Sequence, residues 1–227
     1  MSVVFVLTSH TVLGDTGRST GLWLEEFLVP YYALKDAGQP TLLATPQGGN
    51  APIDPASVEA LKDSEIYARF AKDAELHHAL ESTVELSSVS AAAVAGAIYP
   101  GGHGPLWDLR HDQASIRLIE SLLASGKPVA TICHAGCALL EAKKADGSPL
   151  VKGLNVTAFS DSEEAAVAMV GHVPYLVETD LKALGAHYSK TADWGDHSVQ
   201  DGLVITGQNP ASSAAVAQKV LAQINKK

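Results

Sequence analysis

The sequence predicts an α/β sandwich with a mostly parallel central sheet and helices on both faces. Short apolar, β-branched runs at residues 3–7, 41–44, 94–99 and 128–132 read as strands buried on both faces. Helical stretches separate them, and that alternation requires crossover connections between parallel strands. A cysteine, Cys133, stands where one of these strands passes directly into a helix.

The elements follow in order. Residues 3–7 form the first strand, closed by Thr8, Ser9 and His10. A polar loop with Gly14, Asp15, Gly17 and Arg18 leads to a helix over residues 22–34, with Gly38 as its stop. Pro30 predicts a kink or break in it near Leu28. After the strand at 41–44, Pro46, Gly48, Gly49, Pro52 and Pro55 mark a long loop. Residues 57–90 are polar and partly helical and read as a decoration over the sheet. The strand at 94–99 ends in Pro100-Gly101-Gly102-His103-Gly104. Asp112 opens a helix that runs to Ala124 and stops at Gly126. A strand at 128–132, a helix at 134–143 and a strand at 154–159 follow. A helix at 174–184 stops at Gly185, a late strand occupies 203–205, and Pro210 starts a final helix to Ile224. With no repeat and no linker, residues 1–227 read as a single domain.

Composition narrows the function classes. The chain is 46% apolar and 18% charged, as globular proteins are, and its formal net charge is −9. Such an acidic chain is a poor partner for nucleic acid or for anionic membrane surfaces. Its two cysteines, Cys133 and Cys137, lie in one segment and cannot staple distant parts of the fold, which points to free thiols in a reducing compartment. Neither a signal peptide nor a membrane-length apolar run is evident, so a cytoplasmic location is expected.

The chemistry concentrates around Val129-Ala-Thr-Ile-Cys133-His134-Ala135-Gly136. A tight strand-to-helix turn needs small neighbours, and Ala135 and Gly136 supply them. The same turn presents the nucleophile of serine hydrolases. It places the sulfur at the carboxyl end of the sheet, where open α/β folds bind ligands, and at a helix N-terminus that favours thiolate. A buried packing cysteine is the competing reading. The glycines at 101, 102 and 104 free backbone N–H groups to hold an oxyanion, with the His134 amide as a second donor. Acidic candidates are Glu25 and Glu26, of which only one can face the sheet end, and Asp161, Glu163 and Glu164. Spacing alone does not choose among them.

Together, Ile132-Cys133-His134, Tyr99-Pro-Gly-Gly-His-Gly104 and Thr20-Gly-Leu-Trp-Leu-Glu25 resemble the ThiJ/PfpI superfamily, in its glyoxalase III and heat-shock chaperone branch. Segments 147–153, 157–164 and 206–212 extend the likeness over nearly the whole chain. The resemblance implies a flavodoxin-like sandwich with Cys133 as nucleophile on a strained elbow and His134 as proton shuttle. It further implies that Glu164 orients His134 and that Glu25 contacts the sulfur, with Gly101, Gly102 and His103 around the substrate. The implied activity is a glutathione-independent glyoxalase, converting methylglyoxal to D-lactate through a Cys133 hemithioacetal, with protein deglycation as a possible companion. The substrate is then a small aldehyde, no cofactor or metal is needed, and a homodimer is expected.

Other functions compete. A glutaminase of this fold takes its histidine from a later His-Pro-Glu segment, which is missing here. A peptidase, a holdase chaperone and a cysteine redox sensor remain; the chaperone requires an exposed apolar patch. Cys137 falls one helical turn after Cys133 and reads as a packing residue, with a resolving thiol as the minor alternative. The remaining histidines lie in separate segments without metal-ligand spacing.

Overall fold

The computed structural model describes residues 1–226. Its strands are β1 (Ser2–Val6), β2 (Thr41–Thr45), β3 (Val84–Glu85), β4 (Val94–Tyr99), β5 (Val129–Ile132), β6 (Asn155–Val156), β7 (His187–Tyr188), β8 (Ser198–Asp201) and β9 (Val204–Gly207). Among the described residues, seven of these form the main sheet in the order β3-β2-β1-β4-β5-β9-β8, and β6 pairs with β7 apart from it. All main-sheet pairs are parallel except β8 with β9. The α/β sandwich expected from the sequence is the fold observed.

Alternation along the strands divides the core. Val3 and Phe5, with Ile98, Ala130, Ile132 and Ile205, face the helix α1 (Leu24–Asp36) and the final helix Ser213–Ile224. Val4 and Val6, with Ala97, Tyr99 and Val129, face the opposite layer, which includes the helix Gln113–Ala124 and a 3-10 helix, Cys133–Leu139. The order of strands reverses between β1 and β4, so the crevice at their carboxyl ends is where such sheets bind ligands. Both the Gly101 loop and Cys133 emerge there, because β4 and β5 are neighbours in register at Tyr99 and Thr131.

Several local expectations change. The first helix starts at Leu24, not residue 22, and runs through Pro30 without a break. Proline removes the N–H that would bond the Glu26 carbonyl, a loss of about 3 kcal/mol. Burial of Phe27, Leu28, Tyr31 and Leu34 along the same helix offsets it, at roughly 1.5–3 kcal/mol for each large apolar side chain. The segment 154–159 is not a main-sheet strand: only Asn155 and Val156 pair, with β7. Beyond them the Thr157 amide donates to Thr206 Oγ1 at 2.9 Å, a side chain rather than a strand carbonyl, and the chain passes over the sheet end. The helix expected at 134–143 is the 3-10 helix Cys133–Leu139. The helix expected at 174–184 is confined to Val177–Ala183. The decoration expected over residues 57–90 holds three helices, Pro55–Leu61, Glu65–Phe70 and Ala74–Glu81, with side-chain caps from Asp54, Ser64 and Asp73. Among the described residues, no helix is long and apolar enough to cross a membrane.

Candidate active site

Cys133 takes φ +59°, the left-handed region that a residue with a Cβ rarely occupies. Two glycines make that geometry fit. A Cβ on Gly101 would lie 2.6 Å from the Ile132 carbonyl oxygen and 3.0 Å from the Cys133 Cβ. A Cβ on Gly136 would lie 2.8 Å from that of Ala158. Strain at one buried residue held by close-packed neighbours is a mark of a functional turn. The sulfur therefore stands on an elbow, at the floor of a small cavity, and Cys133 is only 4% exposed.

His134 lies next to it with Nδ1 3.2 Å from Sγ and Nε2 2.6 Å from Glu164 Oε2. The other oxygen of Glu164 is 2.8 Å from Nε2 of His103, a second histidine on the pocket wall. Burial pushes the Glu164 carboxyl up, but electrostatic attraction to the His134 ring and the hydrogen bonds from both histidines outweigh it and hold the group at about 2. An ionised Glu164 accepts Nε2–H from His134, which leaves Nδ1 as the acceptor facing sulfur. Burial and the neighbouring His103 lower the His134 pKa, so the ring is a neutral base. The glutamate placed beside His134 by resemblance thus sits there. Its neighbour Glu163 points away, accepting from Ser160, Trp194, Gln208 and Asn209.

The acid beside the sulfur is Glu26, not Glu25. Glu26 is fully buried, lines the cavity and accepts the Gly101 amide at 2.7 Å through Oε2. Its carboxyl interacts with Cys133, and Oε1 has no nitrogen or oxygen partner. Glu25 is half-buried and turned toward Trp23. The correction follows from helix phase: consecutive residues differ by about 100°, so a single step moves a side chain off the sheet end. Burial raises Glu26 to about 8, so it keeps a proton at neutral pH. Burial also raises the Cys133 thiol, against the pull of the Gly102 and His134 amides. The expected preference for thiolate is therefore overruled by the dry setting, and the resting sulfur carries its proton until a base removes it.

The glycine loop differs in detail from expectation. The Gly101 N–H is taken up by Glu26, so Gly102 and His134 are the amides directed at the reacting sulfur. Gly102 takes φ +90°, and a Cβ there would meet the Trp23 nitrogen at 2.5 Å. His103 contributes its ring to the wall, 4.1 Å from the His134 ring. The remaining walls are Trp23, Phe159, Val167, Trp194 and Pro210, around a small cavity that opens to solvent. Sequence reasoning missed these. Phe159 and Trp194 belong to segments without periodicity, whose positions are set by contacts far along the chain.

Cys137 is fully buried and its thiol donates to the Pro105 carbonyl at 3.3 Å, the packing role expected of it. His103, His134 and Glu164 each offer a ligand atom within 4.8 Å of the others, so they could together hold a metal ion. In the arrangement observed both Glu164 oxygens are instead hydrogen-bonded to the imidazoles, as a proton-handling chain requires.

Residues 20–223 match the sequence profile of the DJ-1/PfpI family. The chain belongs to the DJ-1/PfpI family. Among its relatives, the glutathione-independent glyoxalase hsp3101 of Schizosaccharomyces pombe is 27% identical over 215 residues, covering 90% of this chain and 88% of that protein. The protein/nucleic acid deglycase HchA of Pseudomonas aeruginosa is 28% identical over 207 residues, covering 86% and 70%. The crystal structure of the 24 kDa Rapid Encystment Protein of Francisella tularensis superposes with a TM-score of 0.94 at 31% identity, covering 99% of both chains. The family match spans the segments that carry Cys133, His134 and the glycine loop.

Proposed function

We propose that this protein is a glutathione-independent glyoxalase that converts methylglyoxal to D-lactate through a covalent Cys133 intermediate. The observation that carries the proposal is the chain Sγ–Nδ1 at 3.2 Å and Nε2–Oε2 at 2.6 Å, inside a cavity with no lysine or arginine in its lining.

As the substrate enters, His134 Nδ1 takes the thiol proton while sulfur attacks the aldehyde carbon. The aldehyde oxygen, facing the Gly102 and His134 amides, receives a proton and gives a hemithioacetal. His134 then removes the hydrogen from that carbon and returns a proton to the adjacent carbonyl carbon through an enediol. The first carbon is oxidised as the second is reduced, and a thioester of lactate remains on Cys133. Water hydrolyses it and restores the thiol. Glu164 stabilises the imidazolium formed at each transfer, and protonated Glu26 keeps a second negative charge away from the sulfur. Water is the sole co-reactant.

A glutaminase reading is weaker, because the amino-acid carboxylate of glutamine would find no cation in this lining. The test is D-lactate formation from methylglyoxal without glutathione, beside Cys133→Ala. Lactate from the wild type alone supports the proposal, and none from fully reduced wild type rejects it.

A further inference from the structure

The rim of the cavity is held more tightly than an exposed segment requires. Among the described residues, three non-glycine positions have positive φ: Cys133, Ala168 and Trp194. Trp194 takes φ +65° although it is 49% exposed, so little burial of its own offsets the backbone cost. Its surroundings impose the conformation. Ser162 Oγ donates to Asp193 Oδ1 at 2.6 Å, the Trp194 amide donates to Glu163 Oε1 at 2.9 Å, and Asn209 Nδ2 donates to the Gly195 carbonyl at 2.9 Å. Three successive residues are thus tied down, two of them to the short helix Asp161–Ala166 that also carries Glu164. Gly195 adds a constraint, since a Cβ there would lie 2.7 Å from Thr191 Cγ2.

The indole held in this way closes one side of the cavity. The Trp194 and Phe159 rings are in contact, with centroids 5.8 Å apart at 58°. Phe159 has nowhere to retreat: it is buried and packs on the His134 ring, centroids 4.2 Å apart. No substituent passes between the two rings. Glu26, Cys133 and His134 form the buried floor, whereas Val167 and Trp194 are the exposed members of the lining. The space they enclose is about 60 Å³, room for a few water molecules. A substrate with its aldehyde carbon at the Cys133 sulfur must direct its other end at this rim.

Building on the glyoxalase reading, we propose that Trp194 sets an upper limit on substituent bulk, so that the site takes glyoxal and methylglyoxal and turns away 2-oxoaldehydes branched beside the ketone. The indole touches the substituent and not the reacting atoms. The chemistry is unchanged: a branched oxoaldehyde and water give the 2-hydroxy acid by the same internal redox exchange, and access alone separates the two kinds of substrate.

The test measures kcat/KM for methylglyoxal and tert-butylglyoxal in the wild type, Trp194→Ala and Trp194→Phe. Differences in intrinsic reactivity cancel when the ratio is compared between variants. The wild type favours methylglyoxal by about 10-fold or more. Trp194→Ala shrinks that preference by about 10-fold, mainly through a gain with tert-butylglyoxal, and Trp194→Phe lies between. Equal use of both substrates by the wild type, or a ratio unmoved in Trp194→Ala, overturns the inference and leaves the glyoxalase reading standing. A second readout needs no turnover: the rates at which iodoacetamide and the bulkier N-phenylmaleimide alkylate Cys133, followed by peptide mapping. Trp194→Ala speeds the bulky reagent relative to the small one by about 10-fold, a ratio in which thiol acidity cancels. If neither oxoaldehyde is turned over, the glyoxalase reading falls and the alkylation ratio decides alone. A ratio that rises in Trp194→Ala then upholds the limit set by Trp194, and an unchanged ratio overturns it.

Discussion

Two pairs of adjacent glutamates serve the same cavity in different ways. In the pair on α1, Glu26 is buried beside Cys133 while Glu25 is half-buried and off the site. In the pair after Ser160 both members are buried, Glu164 against two histidines and Glu163 in a web of five donors. The two site-facing carboxyls differ in charge although both are buried. Glu26 receives one amide and is raised to about 8, whereas Glu164 receives two imidazole N–H groups and is held at about 2. The number of donors, rather than burial alone, decides which buried acid is ionised. The cavity thus contains one proton-bearing carboxyl at the nucleophile and one charged carboxylate behind the base.

The largest way to break this contrast is Glu164→Gln. A neutral amide neither stabilises the imidazolium nor fixes the His134 tautomer, and kcat/KM for lactate formation falls by about 10³-fold. A loss below about 10-fold in steady-state assays would remove Glu164 from its assigned role. Glu163→Gln turns an amide N–H toward groups that are themselves donors. It costs about 3 kcal/mol of stability, read from urea midpoints, with a smaller kinetic loss than Glu164→Gln.

Glu26→Gln sharpens the contrast through pH. Its proton is held more tightly in the folded state, at about 8 against 4.5 for the ordinary side chain. The stabilisation from this proton is complete below about pH 4.5 and is lost as pH rises through about 8. Thermal melts of the wild type should fall across that window and those of Glu26→Gln should fall less. The difference over the whole window is on the order of 5 kcal/mol. The smallest effects belong to Glu25→Gln and Cys137→Ala, which change kcat/KM by no more than about 3-fold, with Cys137→Ala costing about 1 kcal/mol of stability.

The elbow and the parallel sheet were legible because their signals are local: apolar runs of strand length, and glycine and proline at fixed offsets. Val94–Tyr99 ends where the sequence places it, since Pro100 and Gly101 stop the pairing. The acid at the sulfur was misread by one residue because the choice of Glu25 rested on the resemblance; helical spacing allowed only one of Glu25 and Glu26 at the sheet end, and the buried one is Glu26. The adjacent pair at Glu163 and Glu164 could not be separated by spacing, and only the resemblance selected Glu164. Trp194 left no pattern at all: its place depends on bonds to Glu163 and the Asn209 hold on Gly195. The edge strand β8 was also unread, being short, polar and antiparallel in a sheet otherwise parallel.

The central claim is that Cys133 forms the covalent intermediate while Cys137, four residues along and equally buried in the fold, does not. Rapid quenching of wild-type protein mixed with methylglyoxal, followed by intact-mass and peptide mapping, tests this directly. The account predicts an increment of one methylglyoxal on the Cys133 peptide, confined to that sulfur and absent from Cys133→Ala. Lactate production by Cys133→Ala at the wild-type rate, or an adduct carried by Cys137 instead, would contradict it.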